Sequence, residues 1–198
     1  MTEQQRYRVL EKRGDVELRE YAECVVADVE VTGAVEQAAM SAFQPLFSYI
    51  SGANSKSSKL SMTAPVIQQS AGEKLAMTAP VIQEQSKQGA QGNQGNQGTW
   101  TVSFVLPGDR AIDEYPVPTD PRVSLRAIPR QLAAALRWSG RWTSGNLDKR
   151  TNELRQEISV AGWTPIGEPR WARFDPPWKP PFARRNEIVI SVVSDTVR

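Results

Sequence analysis

The string K-L-[SA]-M-T-A-P-V-I-Q occurs twice, from Lys59 and from Lys74, with Ser61 against Ala76 as the one difference. Near-identity at an offset of 15 residues is a tandem duplication, not coincidence. A solenoid would need three or more units, because a lone unit cannot bury its apolar face. There is no third copy, so the repeat is local to one domain. Each copy mixes Leu60, Met62, Ala64 and Val66 with Ser61 and Thr63, the period of two expected of a half-buried strand. Ser70-Ala71-Gly72-Glu73 between the copies predicts an antiparallel hairpin, since Gly72 tolerates positive φ. Pro65 and Pro80 cannot donate to a ladder and so belong at edges, strand ends or bulges of an irregular sheet.

The rest of the chain follows the same logic. Strand patterns run over Tyr7 to Leu10, Val16 to Tyr21 and Cys24 to Val31, the first two separated by Gly14-Asp15. Val35, Ala39, Phe43, Leu46, Phe47 and Ile50 recur at helical spacing, ended by Gly52, with Pro45 expected to bend or break the helix. Gln85 to Gly98 has no aromatic or branched apolar side chain and reads as a flexible loop. Trp100 to Leu106 alternates as a strand, and one or two more lie within Arg122 to Trp138. Asn146 is the expected N-cap of a second helix carrying Leu147, Thr151, Leu154, Ile158 and Ala161, stopped by Gly162. Glu187 to Val193 closes the chain as a strand. The order is strands, helix, strands, twice over: two copies of one α+β unit whose helices pack on one face of an antiparallel sheet. All 198 residues form one expected domain, interrupted only by the loop at 85–98.

Composition excludes much chemistry. There is no histidine, which removes Ser-His-Asp and Cys-His relays, H-E-x-x-H zinc sites and imidazole ligation of haem iron. With a lone cysteine as well, no zinc site of usual ligand composition can form. Neither a P-loop nor G-x-G-x-x-G is present. The acid pairs Asp113-Glu114 and Glu17-Glu20 read as surface, so a non-enzymatic protein is expected. Cys24, beside Val25 and Val26, reads as a small buried hydrophobe. Met62 and Met77 could offer thioether sulfur, but their pattern is that of core residues. The formal net charge is +2, with the basic surplus in the second half interspersed among acids. That balance argues against nucleic acid as a partner. No apolar run is long enough to span a bilayer, and a single cysteine fits a reducing compartment, so a soluble cytoplasmic protein is expected. Nothing in the sequence names a protein partner.

Phe174-Asp175-Pro176-Pro177-Trp178-Lys179-Pro180-Pro181, then Arg184-Arg185-Asn186-Glu187, is rigid, aromatic and basic. Its prolines predict an ordered loop. Trp178 either plugs the sheet or gates a groove, with Lys179 presented to an anion.

M-T-A-P-V at Met62 and Met77, W-T-V-S-F-V-L-P at Trp100, P-x-D-P-R-V at Pro118, F-D-P-P-W-K-P at Phe174 and R-R-N-E-I at Arg184 together resemble the SOUL haem-binding family. The resemblance runs from about Tyr7 to Val193. It implies an α+β fold, a distorted antiparallel β-barrel with two α-helices and two pseudo-symmetric halves, an architecture similar to GyrI-like effector-binding domains. It also implies binding of haem or a related tetrapyrrole in a hydrophobic groove beside the first helix. Residues carried over to that groove are Phe43, Phe47 and Met40 on the helix, with Trp178 and Lys179 on the loop. Where one relative has an axial histidine this chain has Glu20, and where others have basic helix residues it has Met40 and Ser48. Binding without histidine ligation is therefore the expectation, with Tyr21, Cys24 and Met62 as weak candidates for the metal. The alternatives are an effector-binding domain for other flat apolar molecules and a protein-interaction scaffold without a small ligand.

Overall fold

The structure, a computed structural model, describes residues 3–61, 63–64, 66–70, 97–108, 110–175 and 178–193. Eleven strands and two α-helices follow one another: β1 (Glu3–Gln4), β2 (Tyr7–Arg13), β3 (Val16–Tyr21), β4 (Cys24–Ala34), α1 (Val35–Ile50), β5 (Thr63–Ala64), β6 (Val66–Ser70), β7 (Gln97–Val105), β8 (Ser124–Ile128), β9 (Gln131–Trp138), α2 (Ser144–Val160), β10 (Thr164–Arg173) and β11 (Asn186–Val193). Gly14, at φ +56°, makes the two-residue turn between β2 and β3 that its sequence predicts.

Nine strands form one antiparallel sheet in the order β2-β3-β9-β11-β10-β6-β7-β4-β8, while β1 and β5 pair separately in parallel. Without the edge strand β2 the order reads the same from both ends, β3 standing to β9 as β8 stands to β4. In each half a strand enters a helix and two strands return, with the last pairing the first: β4-α1-β6-β7 and β9-α2-β10-β11. The strand before each half crosses over, β3 onto β9 and β8 onto β4. The halves join through β6 and β10, where Gln69 faces Arg170 and Ile67 faces Ala172. The α+β class and the two similar halves thus match the sequence expectation, but the barrel does not close. Among the described residues β2 and β8 each have one neighbour in this sheet. Both are mostly exposed and carry charges such as Arg8, Lys12 and Arg126, which blunt an edge against further pairing.

The helices cover one face. α1 buries Ala38, Ala42, Leu46, Tyr49 and Ile50 against β4 and β7, while Val35 at its start joins the core of the other half. It runs unbroken through Pro45; the carbonyl that loses its donor belongs to Ser41, which is exposed and can be served by water. α2 buries Leu147, Thr151, Leu154 and Ile158. Its N-cap is Thr143 rather than Asn146: the Thr143 hydroxyl accepts the Asn146 N–H at 3.4 Å. Gly162, at φ +73°, ends the helix as expected, and the following Trp163 N–H returns to the Ile158 carbonyl. The two cores meet at Trp100, which packs on both and lies 5.7 Å from Trp171.

The first repeat copy supplies β6, paired with β7 on one side and β10 on the other. Met62, the second copy, the hairpin between the copies and residues 85–96 of the expected loop lie outside the described residues. Gln97 and Gly98, assigned to that loop from sequence, instead open β7 opposite Ala34 and Gly33. β10 has no counterpart in the sequence reading. Pro165, Gly167 and Pro169 disguise it, and the sheet absorbs them with a register shift between Ile166 and Arg170.

Candidate functional site

Along α1, positions 36, 40, 43 and 47 share one outward stripe, by the spacing of four, three and four residues. Met40 is 70% exposed, Phe43 40% and Phe47 46%, on a helix whose other large apolar side chains are buried. The Phe43 and Phe47 rings stack at 5.5 Å, and Phe43 meets the buried Phe104 edge-on at 5.8 Å. The structure therefore brings together the three helix residues expected from sequence. At the N-terminal end of the stripe a Glu36 carboxylate oxygen accepts the Ser144 N–H at 2.9 Å, joining the start of α1 to the start of α2.

Beside that junction lies a group of donors without acceptors. Trp138 and Trp142 stack at 6.2 Å, and the Arg173 guanidinium sits 3.9 Å from the centre of the Trp142 ring. Arg173 Nε and Nη2 and both indole N–H groups are buried and have no hydrogen-bond partner among the described residues. Burial, reinforced by Arg184 and opposed by Glu36, pulls the Arg173 guanidinium down to about 10. Buried donors of this kind are costly unless met, so the arrangement suits an anionic oxygen or water.

In the loop before β11, where Pro176 and Pro177 lie outside the described residues, Asp175 links the segments on either side. Its carboxylate takes Lys179 Nζ at 2.7 Å and the Arg185 N–H at 2.6 Å, and the Lys179 carbonyl accepts Arg184 Nε at 2.6 Å. The bond from Lys179, above all, holds the Asp175 carboxyl below the usual carboxylate range. Lys179 is thus engaged in an ion pair. Trp178, 83% exposed, does not plug the sheet.

Tyr21 and Cys24 lie on the other face of the sheet, away from α1, so they share no site with Phe43 and Phe47. Burial pushes the Tyr21 phenol up to about 12, against the pull of Arg19, and pushes the Cys24 thiol up as well. A thiol held protonated is a poor metal ligand. Sequence reasoning missed what surrounds Tyr21. Arg19 on β3 grips Glu187 on β11 through both carboxylate oxygens, at 2.6 and 3.3 Å, while donating to the Tyr21 hydroxyl at 3.0 Å. Arg185 adds bonds of 3.0 and 2.7 Å to Glu187. The available signal was a charge inside an apolar alternation, Arg19 in V-E-L-R-E-Y and Glu187 in N-E-I-V-I. Over this cluster opens a small recess of about 20 Å³, room for little more than one water, lined among others by Tyr7, Tyr21, Ile67, Arg170, Phe174 and Val189. Among the described residues no three potential ligand side chains converge as a metal site, and no helix is long and apolar enough to cross a membrane.

The chain is similar in fold to several solved structures. The C-terminal domain of EcmrR superposes with a TM-score of 0.61 at 16% identity, over 95% of this chain and 98% of that one. A hydrolase encoded by lin2189 from Listeria innocua gives 0.63 at 12% identity, over 93% and 94%. An uncharacterized conserved protein from Listeria innocua gives 0.61 at 13% identity, over 90% and 92%. At such identities the likeness is one of fold alone. No curated protein matches in sequence. The model of the SOUL heme-binding protein family matches residues 2–72 and 67–191, nearly the whole chain in two overlapping stretches that meet in β6, and the chain belongs to that family.

Proposed function

We propose that this protein binds a planar tetrapyrrole, haem or an iron-free porphyrin, on the outer stripe of α1 and without histidine ligation. The carrying observation is that Met40, Phe43 and Phe47 stand exposed in one row on an otherwise well-buried helix. Family membership supports the ligand class. Iron would find no imidazole, and Met40 offers the thioether on this stripe. With neither histidine nor a second cysteine, the reading is of a binding protein and not of a catalyst.

Each phenylalanine leaves roughly 80 Å² of its ring surface to solvent. A flat ligand covering half of that on both would gain about 2 kcal/mol, roughly thirty-fold in affinity. Haemin titration followed at the Soret band tests this. The Phe43→Ala, Phe47→Ala double variant is expected to weaken binding by about that factor. Iron-free porphyrin is expected to compete. Absence of a Soret shift, or equal affinity of the double variant, would overturn the reading.

A further inference from the structure

The two helices differ in what they show to solvent. The exposed residues of α2 include Asp148, Lys149, Arg155 and Glu157, the mixed charges of an ordinary solvated helix. Those of α1 are Gln37, Met40, Ser41, Phe43, Gln44 and Phe47, without a charge among them. The one charged residue of α1, Glu36, is half-buried and accepts the Ser144 N–H at the start of α2. Depletion of charge around an apolar centre is the composition of an interface core. On a surface that meets its own copy it also removes like-charge repulsion. Two magnitudes say what such a face can hold. Phe47 follows Met40 by seven positions, about 10 Å along the axis, so the row is long enough to lie under a flat ring but forms a wall and not a cleft. A ring laid on one wall keeps its other face in water, short of the roughly 70–90% burial usual for a bound small molecule. The outward side of α1, 16 residues long and about 10 Å wide, covers about 240 Å². That is far below the roughly 800 Å² per partner of a stable association. Two bare α1 faces therefore do not hold each other, and one α1 face does not enclose a ring.

We propose that one tetrapyrrole is held between the α1 stripes of two copies of this chain, which associate only around it. This rests on the tetrapyrrole reading above and supplies the second wall of that site. Each copy covers one face of the ring with Met40, Phe43 and Phe47, and a two-fold axis through the ring makes the two walls equivalent. The ring adds the contact area that the bare helices lack, so ligand binding and dimer formation are one linked equilibrium. The recess on the helix-free face offers the ring no alternative, having room for little more than one water. Gln44, exposed and between Met40 and Phe47 along the helix, is brought near its own copy by the same axis.

Sedimentation velocity and Soret titration with iron-free porphyrin, on the full chain at low ionic strength, test the arrangement. The chain is expected to be a monomer alone, to double in mass with porphyrin, and to saturate at one ring per two chains. Gln44→Glu sets like charges against each other and is expected to cut porphyrin-driven dimer formation by about ten-fold or more. Gln44→Lys alone is expected to do the same, and an equimolar mixture of the two variants to restore the dimer. A monomeric complex with one ring per chain would overturn this proposal and leave the binding reading standing. Absence of any Soret change would overturn both. A dimer that forms without porphyrin, or one that neither Gln44 variant weakens, would put the contact on another face and overturn the proposal as well. Should either variant fail to fold, mass and stoichiometry on the natural protein still decide.

Discussion

Replacing Glu187 by alanine strikes the most deeply buried charge pair among the described residues. Its side chain is 1% exposed and that of Arg19 3%. Burial alone would lower the Arg19 pKa, but the hydrogen bond to Glu187 and the charges of Tyr21 and Glu187 more than reverse this, so it is raised. Removing one partner of such a pair leaves an uncompensated charge and costs about 3–5 kcal/mol. Three contacts soften the loss for Arg19: Glu17 at 2.8 Å, the Tyr21 hydroxyl at 3.0 Å and the Tyr7 ring at 4.1 Å. Arg185, 20% exposed, can turn to water. The expected cost is therefore at the lower end, about 3 kcal/mol. With a urea dependence of about 2 kcal/mol per molar, the unfolding midpoint should fall by roughly 1.5 M. The double variant Arg19→Met, Glu187→Met should return to within about 1–2 kcal/mol of the natural protein, because it removes both charges and keeps the volume. A Glu187→Ala loss below about 1 kcal/mol, or a double variant worse than the single, would refute the account.

Tyr49, whose hydroxyl donates to the Pro116 carbonyl at 2.9 Å, has its pKa pushed up to about 12 by burial and then by Tyr115. A raised folded-state pKa means that its contribution is complete below the unfolded value near 10 and is lost as pH climbs toward 12. Tyr49→Phe should start about 1 kcal/mol less stable at neutral pH, and that gap should close and then reverse across this alkaline window in urea midpoints measured at several pH values. At Gly98 an added Cβ would lie 2.9 Å from the Trp100 ring, whose N–H donates to the Gly33 carbonyl at 2.8 Å. Gly98→Ala should therefore displace the indole, costing about 1–3 kcal/mol in urea unfolding and changing the near-UV circular dichroism that Trp100 and Trp171 produce together.

Periodicity was a good guide where local pattern decides structure. The apolar face of α2, the Gly14-Asp15 turn and the Gly162 stop are all written in adjacent residues, whereas on α1 only Val35, Leu46 and Ile50 of the expected face are buried, and Ala38, Ala42 and Tyr49 take the places expected of Ala39, Phe43 and Phe47. Phe43 and Phe47 were legible for the same reason, since spacing along a helix places them in a row. β10 was hidden because two prolines and a glycine contradict strand propensity locally, and only pairing with β6 and β11 makes them tolerable. Asn146 reads as a cap on residue type alone, whereas Thr143 caps the helix because of where the chain leaves β9. The Arg19–Glu187 pair spans 168 positions and exists only once β3 and β11 flank β9. Nothing local distinguishes Arg170 from Arg173 either: they differ by an odd number of positions on one strand, which sends them to opposite faces of the sheet.

The crossed hairpins have a consequence for how the chain is made. β3 leaves the ribosome early, but its partner β9 begins at Gln131, and the seam between halves must bring Gln69 to Arg170, 101 positions on. The first half thus emerges with the open edges of β3 and β6 waiting for strands not yet synthesised. Such distant pairings carry loop-closure entropy before they return any contact energy, so folding should be slow and should finish only after β11 has been released. Until then the nascent chain presents unpaired β edges, the form most open to capture by a chaperone or by another copy of itself.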